Sequence, residues 1–100
     1  MEYKVIWSNE AQDSFLTIVD FISNNWSQTE ATKFIIRTES LIGQISKHPF
    51  LFKIYQQFKS IRCGALHKNT TLFYKVNEET RTIIVMLFWN NQREPGTLTM

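Results

Sequence analysis

Seven consecutive apolar residues, Ile83 to Trp89, constrain this chain more than any other stretch. The run is short and dominated by branched and aromatic side chains. It therefore reads as a strand, Arg81 to Trp89, with both of its faces covered. Such a strand needs other strands beside it and a second layer of structure against it. The rest of the sequence supplies both.

Upstream, Ile61, Cys63 and Ala65 alternate with Arg62, Gly64 and Leu66, a strand pattern that begins near Ser60. His67-Lys68-Asn69 turns the chain, and Thr70 to Val76 continues as a strand rich in Thr and aromatics. Asn77-Glu78-Glu79-Thr80 forms the polar turn into the apolar run. Three strands joined so briefly make an antiparallel meander. Phe50 to Phe58 is aromatic but not periodic, and reads as an ordered loop pinned by Phe50, Phe52 and Tyr55. At the other end, Tyr3 to Trp7 is a short strand that adds to an edge or pairs with the most apolar strand.

Between Trp7 and Pro49 the period changes to that of a helix. Asn9 with Gln12 is the expected capping box of a first helix, whose apolar stripe is Ala11, Phe15, Ile18, Val19, Ile22 and Trp26. Asn24 and Asn25 end it. Ser27 with Glu30 opens a second helix, striped by Ala31, Phe34, Ile35, Thr38, Leu41, Ile42 and Ile45. Pro49 closes it, because the residue before a proline disfavours helical geometry. So short a connection makes the two helices an antiparallel hairpin. Leu16, Phe21 and Ile36 fall off the stripes; they either widen the core face or meet a partner. The expected architecture is α+β, in the order β-α-α-β-β-β: an N-terminal strand, a helix hairpin and a meander forming a small twisted sheet.

One hundred residues with 43% hydrophobic content fit a single domain spanning 1–100. Nothing in the chain approaches the run of about 20 apolar residues that spans a bilayer. Cys63 has no second cysteine to pair with, and no spacing of Cys and His suggests a zinc site. A cytoplasmic protein with no metal and no cofactor is the expectation. Net charge is only +2, yet no acid lies between Glu39 and Glu78. That window holds Lys47, Lys53, Lys59, Arg62, Lys68 and Lys75, so its local field favours a polyanion or an acidic partner.

The order of an early helix hairpin, an Ile61-Arg62 strand, LFYKV (72–76) and a closing FWNNQREP (88–95) resembles the RelE/ParE superfamily of bacterial toxins from type II toxin–antitoxin modules. The resemblance runs from Tyr3 to about Pro95, and its ending is similar to that of plasmid-stabilisation-type members. It implies a growth-arresting toxin held silent by a cognate antitoxin, which lays a segment over the toxin's sheet and hairpin. It also implies one of two actions. A RelE-like toxin cleaves mRNA in the ribosome, which without a metal needs a base, an acid and cations at the phosphate. A ParE-like toxin binds DNA gyrase and needs no such set.

Carried over by position, the nuclease pattern gives Lys59 and Arg62 at the opening of the sheet and Arg93 beyond the last strand. His67 is the residue able to act as a base. The sequence departs from the pattern at Thr71, where that branch often has arginine, and lacks its C-terminal Tyr or His. The balance therefore leans to a ParE-like binder. Target contacts are then expected from Arg62, Lys68, Trp89, Asn90, Asn91 and Arg93. Lysines and arginines would meet phosphate or acidic groups, Trp89 would stack, and the amides would hold a backbone. A third possibility is a non-toxic module that binds RNA, another nucleic acid or a protein, which the basic window would serve equally well.

Overall fold

A computed structural model describes residues 2–67 and 69–90, apart from the side chain of Lys59. The elements are β1 (Lys4–Trp7), α1 (Asn9–Asn25), α2 (Gln28–Lys47), β2 (Lys53–Tyr55), β3 (Phe58–His67), β4 (Thr70–Asn77) and β5 (Thr82–Asn90). The strands form one mixed sheet in the order β1-β5-β4-β3-β2. The α+β architecture read from the sequence is the one observed.

The apolar run occupies the centre of that sheet, between β1 and β4. β1 lies parallel to it, from Lys4 opposite Thr82 to Trp7 opposite Val85. It satisfies both sequence expectations at once, since it is an edge strand and also the partner of the most apolar strand. Burial along β5 refines the expected cover. Ile83, Val85 and Phe88 are buried on the helix side, whereas Ile84, Met86, Leu87 and Trp89 are half-buried. The odd spacing arises where Tyr74 faces Val85 and Phe73 faces Leu87, leaving Met86 as an extra residue in a β-bulge.

The helix hairpin covers one face, and its stripes meet the sheet in a core of Ile18, Phe34, Leu66, Leu72, Tyr74 and Phe88 among others. Phe15 links the layers, with ring centroids 5.3 Å from Trp7, 5.6 Å from Phe34 and 5.2 Å from Phe88. Ser46 ties the end of α2 to the start of β1 by two bonds to Tyr3, 2.7 and 2.9 Å long.

Three local readings change. The cap of α1 is Ser8 rather than Asn9, which is already helical; the Ser8 hydroxyl accepts the Ala11 N–H at 3.0 Å. Its tertiary setting explains the choice. Ser8 Oγ also donates to the Met86 carbonyl at 3.1 Å, and Ser14 Oγ accepts the Phe88 N–H at 3.0 Å. Two helix hydroxyls thus serve the β5 edge just where β1 has ended. Ser27 caps α2 as expected, accepting the Glu30 N–H at 3.0 Å.

The segment read as a loop, Phe50 to Phe58, contains the three-residue strand β2, too short to show a period. Trp26 leaves the α1 stripe and stands 47% exposed. Leu16 and Ile36 are more exposed still, at 59% and 60%, so they do not widen the core. Between β4 and β5, Arg81 takes a left-handed conformation at φ 52°, which a residue with a Cβ adopts at a cost of about 1 kcal/mol.

Candidate functional site

Alternation along β3 and β4 sorts the candidate residues onto two faces. Arg62 pairs in register with Tyr74, a core residue, and so lies on the helix-facing side. Beyond the end of α2 that side is covered by the segment 49–52, a strap that leads into β2 at the sheet's edge. Tyr74 donates its hydroxyl hydrogen to the Pro49 carbonyl at 2.9 Å and accepts the Phe52 N–H at 3.4 Å. Arg62 Nη1 donates to the Phe52 carbonyl at 2.8 Å, and its guanidinium carbon lies 4.7 Å from the centroid of the Phe50 ring. Burial pushes the Tyr74 hydroxyl above its ordinary value; the Phe52 bond and the nearby Arg62 charge pull it back in part. Arg62 thus commits one N–H to a carbonyl and one face to an aromatic ring.

His67 stands at the end of β3, roughly 15 Å from Arg62 at the usual strand rise. Its ring lies 6.2 Å from that of Phe34, edge to face. Around it is a small hollow of about 20 Å³ at the tip of the helix hairpin, shared with Phe21, Trp26, Asn69, Thr70 and Asn90. Asn90 is only 7% exposed there, a buried end to β5 rather than an outward tip. Arg62 and His67 share a face but are not brought together.

The face away from the helices has a different character. Ile61 and Phe73 are buried on it, and Cys63 pairs with Phe73 in register. The Tyr55 ring packs edge to face on Phe73 at 5.3 Å. Burial raises the Cys63 thiol above its ordinary value. Trp89 lies on this face, opposite Thr71. Two shallow depressions, of about 430 and 370 Å³, meet at Ser60 and Lys75. Phe58, Ile61, Met86 and Leu87 wall the second of them. Lys75 entered the sequence reading only as one cation of the basic window and not as a site residue, because a strand lysine surrounded by aromatics gives no local signal of which face it takes. The side chain of Lys59, and Lys68, Asn91 and Arg93 entirely, lie outside the described residues.

Among the described residues no group of three or more His, Cys, Asp or Glu side chains is placed to hold a metal ion. No helix among them is long and apolar enough to cross a membrane.

The frame is thus a helix hairpin on one face of a small mixed sheet, with the opposite face partly apolar. Residues 5–95 match the model of the family described as ParE toxin of the type II toxin–antitoxin system, parDE, and the chain belongs to that family. It is the toxin component of a type II toxin–antitoxin module.

Solved structures agree on the fold. The ParDE system of P. aeruginosa superposes with a TM-score of 0.74 at 11% identity, over 89% of this chain and 96% of that one. A YoeB/ParE toxin from Agrobacterium tumefaciens gives 0.65 at 12% identity, over 87% and 96%. The RelBE2 toxin–antitoxin complex of Mycobacterium tuberculosis gives 0.63 at 12% identity, over 90% and 99%. No curated protein matches the chain by sequence.

Proposed function

We propose that this toxin arrests growth by binding its target rather than by cleaving RNA, and that the target is DNA gyrase. The observation that carries the reading is the separation of Arg62 from His67. The Arg62 guanidinium is turned to the Phe52 carbonyl and the Phe50 ring, in the middle of β3 and five residues from His67 at the strand's end. Metal-free cleavage needs a base and a cation on either side of one phosphate, and these two side chains flank no common point.

The open face suits contact instead. Phe58, Met86, Leu87 and Trp89 offer apolar surface beside Lys75, with Glu10, Glu78 and Glu79 at its margins, and aromatic side chains and methionine are the types that specific protein interfaces favour at their centres. Trp89 and Lys75 are the proposed contacts on this face. Lys68, Asn91 and Arg93 remain proposed contacts, and Lys59 a proposed catalytic cation only in the nuclease reading. A cognate antitoxin is the partner that silences the toxin.

Pulse labelling tests the reading. The protein is induced without its antitoxin, and incorporation of labelled thymidine and labelled amino acids is followed over the first minutes. DNA synthesis falling first is the expected result. Protein synthesis falling first, with cleaved mRNA, would overturn it in favour of a ribosome-dependent nuclease.

A further inference from the structure

The two most exposed large apolar side chains among the described residues are Leu16, at 59%, and Ile36, at 60%. Trp26 marks the turn of the helix hairpin. Leu16 lies ten residues before it and Ile36 ten after, so the antiparallel pair sets them at one height. Each belongs to a ridge of exposed residues with the same spacing. On α1 the ridge is Asp13, Leu16, Thr17 and Asp20; on α2 it is Lys33, Ile36, Arg37 and Ser40. Steps of three, one and three keep each set on one helical face. On α1 that face lies opposite the buried Ala11, Ile18 and Ile22.

The two ridges carry opposite charge. α1 holds Glu10, Asp13 and Asp20 and no basic residue. Among the described residues Asp13 and Asp20 make no ion pair. α2 does contain Glu30 and Glu39, but its ridge carries only Lys33 and Arg37. Lys33 is held by an exposed contact to Glu30 at 3.7 Å, of the kind that contributes little. Arg37 donates its Nε–H to the Leu66 carbonyl at 2.6 Å, on the open edge of β3 past the last residue that β2 pairs, and the residue stays exposed. All four residues of the α2 ridge line a groove of about 520 Å³ between α2 and β3, which leaves room for a facing ridge.

We infer that the outer face of the helix hairpin is a dimer interface, occupied by a second copy of this chain. Two hairpins can stack about a two-fold axis in two ways. An axis across the helices lays α1 on the other copy's α1 and sets acid against acid. An axis along the helices lays α1 antiparallel on the other copy's α2, with heights preserved. Charge selects the second arrangement. Asp20 of each copy then meets Lys33 of the other, Leu16 meets Ile36, and Asp13 comes level with Ser40 and Arg37. The contact is isologous, so every pair is made twice. Helices of 17 and 20 residues present a face about 25 Å long and about 20 Å wide. Each copy thus buries on the order of 500 Å², less than the roughly 800 Å² a side of standard interfaces, and the dimer is a weak one of micromolar order. The sheet faces that carry Trp89 and Lys75 stay on the outside, so the inference is independent of the target proposed above.

Analytical ultracentrifugation of the full chain without antitoxin, over roughly 1–100 µM, tests the inference. A reversible dimer is expected. Asp20→Lys and Lys33→Asp should each weaken it about tenfold or more, because a reversal acts at both copies of the pair. Both variants should melt close to the parent, since both positions are exposed. An equal mixture of the two variants should associate within about threefold of the parent, because each reversed charge then faces its complement. A monomer at every concentration would overturn the inference. So would a dimer that both reversals leave intact, which places the contact elsewhere. A mixture no tighter than either variant alone would overturn it as well, since the two ridges then do not face each other.

Discussion

Gly64→Ala isolates the strap over the sheet, and its cost can be worked from the geometry. A Cβ at this position would lie 2.6 Å from both Cδ1 and Cγ of Phe52 and 2.8 Å from Cδ2. Carbon atoms in contact prefer about 3.5–4.0 Å, so the ring must retreat by about 1 Å. It cannot swing freely, since Cγ sits close to a backbone held at both polar groups, by Tyr74 at the N–H and Arg62 at the C=O. Twisting the ring off its rotamer costs about 0.5–1.5 kcal/mol. Lifting the strap instead loses bonds of about 1 kcal/mol each. Removing a strand glycine returns about 0.5–1 kcal/mol of backbone entropy.

Lifting the strap off both bonds, less the returned entropy, leaves a net loss of about 1–1.5 kcal/mol, a fall in Tm on the order of 4–12 °C for a chain of this size. Urea and thermal unfolding of Gly64→Ala, Phe52→Ala and the double variant measure it. In the Phe52→Ala background the added methyl group meets no ring and should be neutral or stabilising. Equal destabilisation in both backgrounds, or a parent stabilised by Gly64→Ala, would refute the reasoning.

Ser8→Ala should cost about 1–2 kcal/mol, since it removes the α1 cap together with the bond to β5, whereas Asn9→Ala should lie within about 0.5 kcal/mol of the parent; chemical denaturation of the two decides which residue caps. Alkaline stability should be limited by Tyr74. Its folded pKa lies above the ordinary 10.0, so the unfolded chain gives up the proton first. The contribution is thus complete below pH 10 and lost as pH rises through the folded value. Cys63, raised from 9.0, acts in the same direction. Tyr74→Phe should begin less stable, with the Pro49 carbonyl unpaired, and should lose less between pH 9 and 11; parallel slopes for both proteins would count against the assignment.

The elements that the sequence determined by itself are those whose signal is local and repeated. Two helical stripes, the Ser27 cap, the stop at Pro49 and the period-two pattern around Ile61 to Ala65 each follow from neighbours within a few residues, and each stands where it was read but for Trp26 at the end of the first stripe. The family was legible for the same reason, as an order of short motifs along the chain.

Tertiary structure decided the rest, because the forces involved act between residues far apart in sequence. Ser8 prevails over Asn9 as a cap because the Met86 carbonyl, 78 positions away, needs a donor. Β2 exists because a paired neighbour makes a strand of three residues that carry no period. Arg62 reads as a free cation in sequence, yet Phe50 and Phe52 already take one face and one N–H of it. Asn90 reads as an outward tip, yet lies buried at the end of the hairpin. Arg37 gave no signal at all, since only the folded chain sets it against the open edge of β3. Local patterns fix which elements form; which faces remain free to act is fixed only when those elements pack.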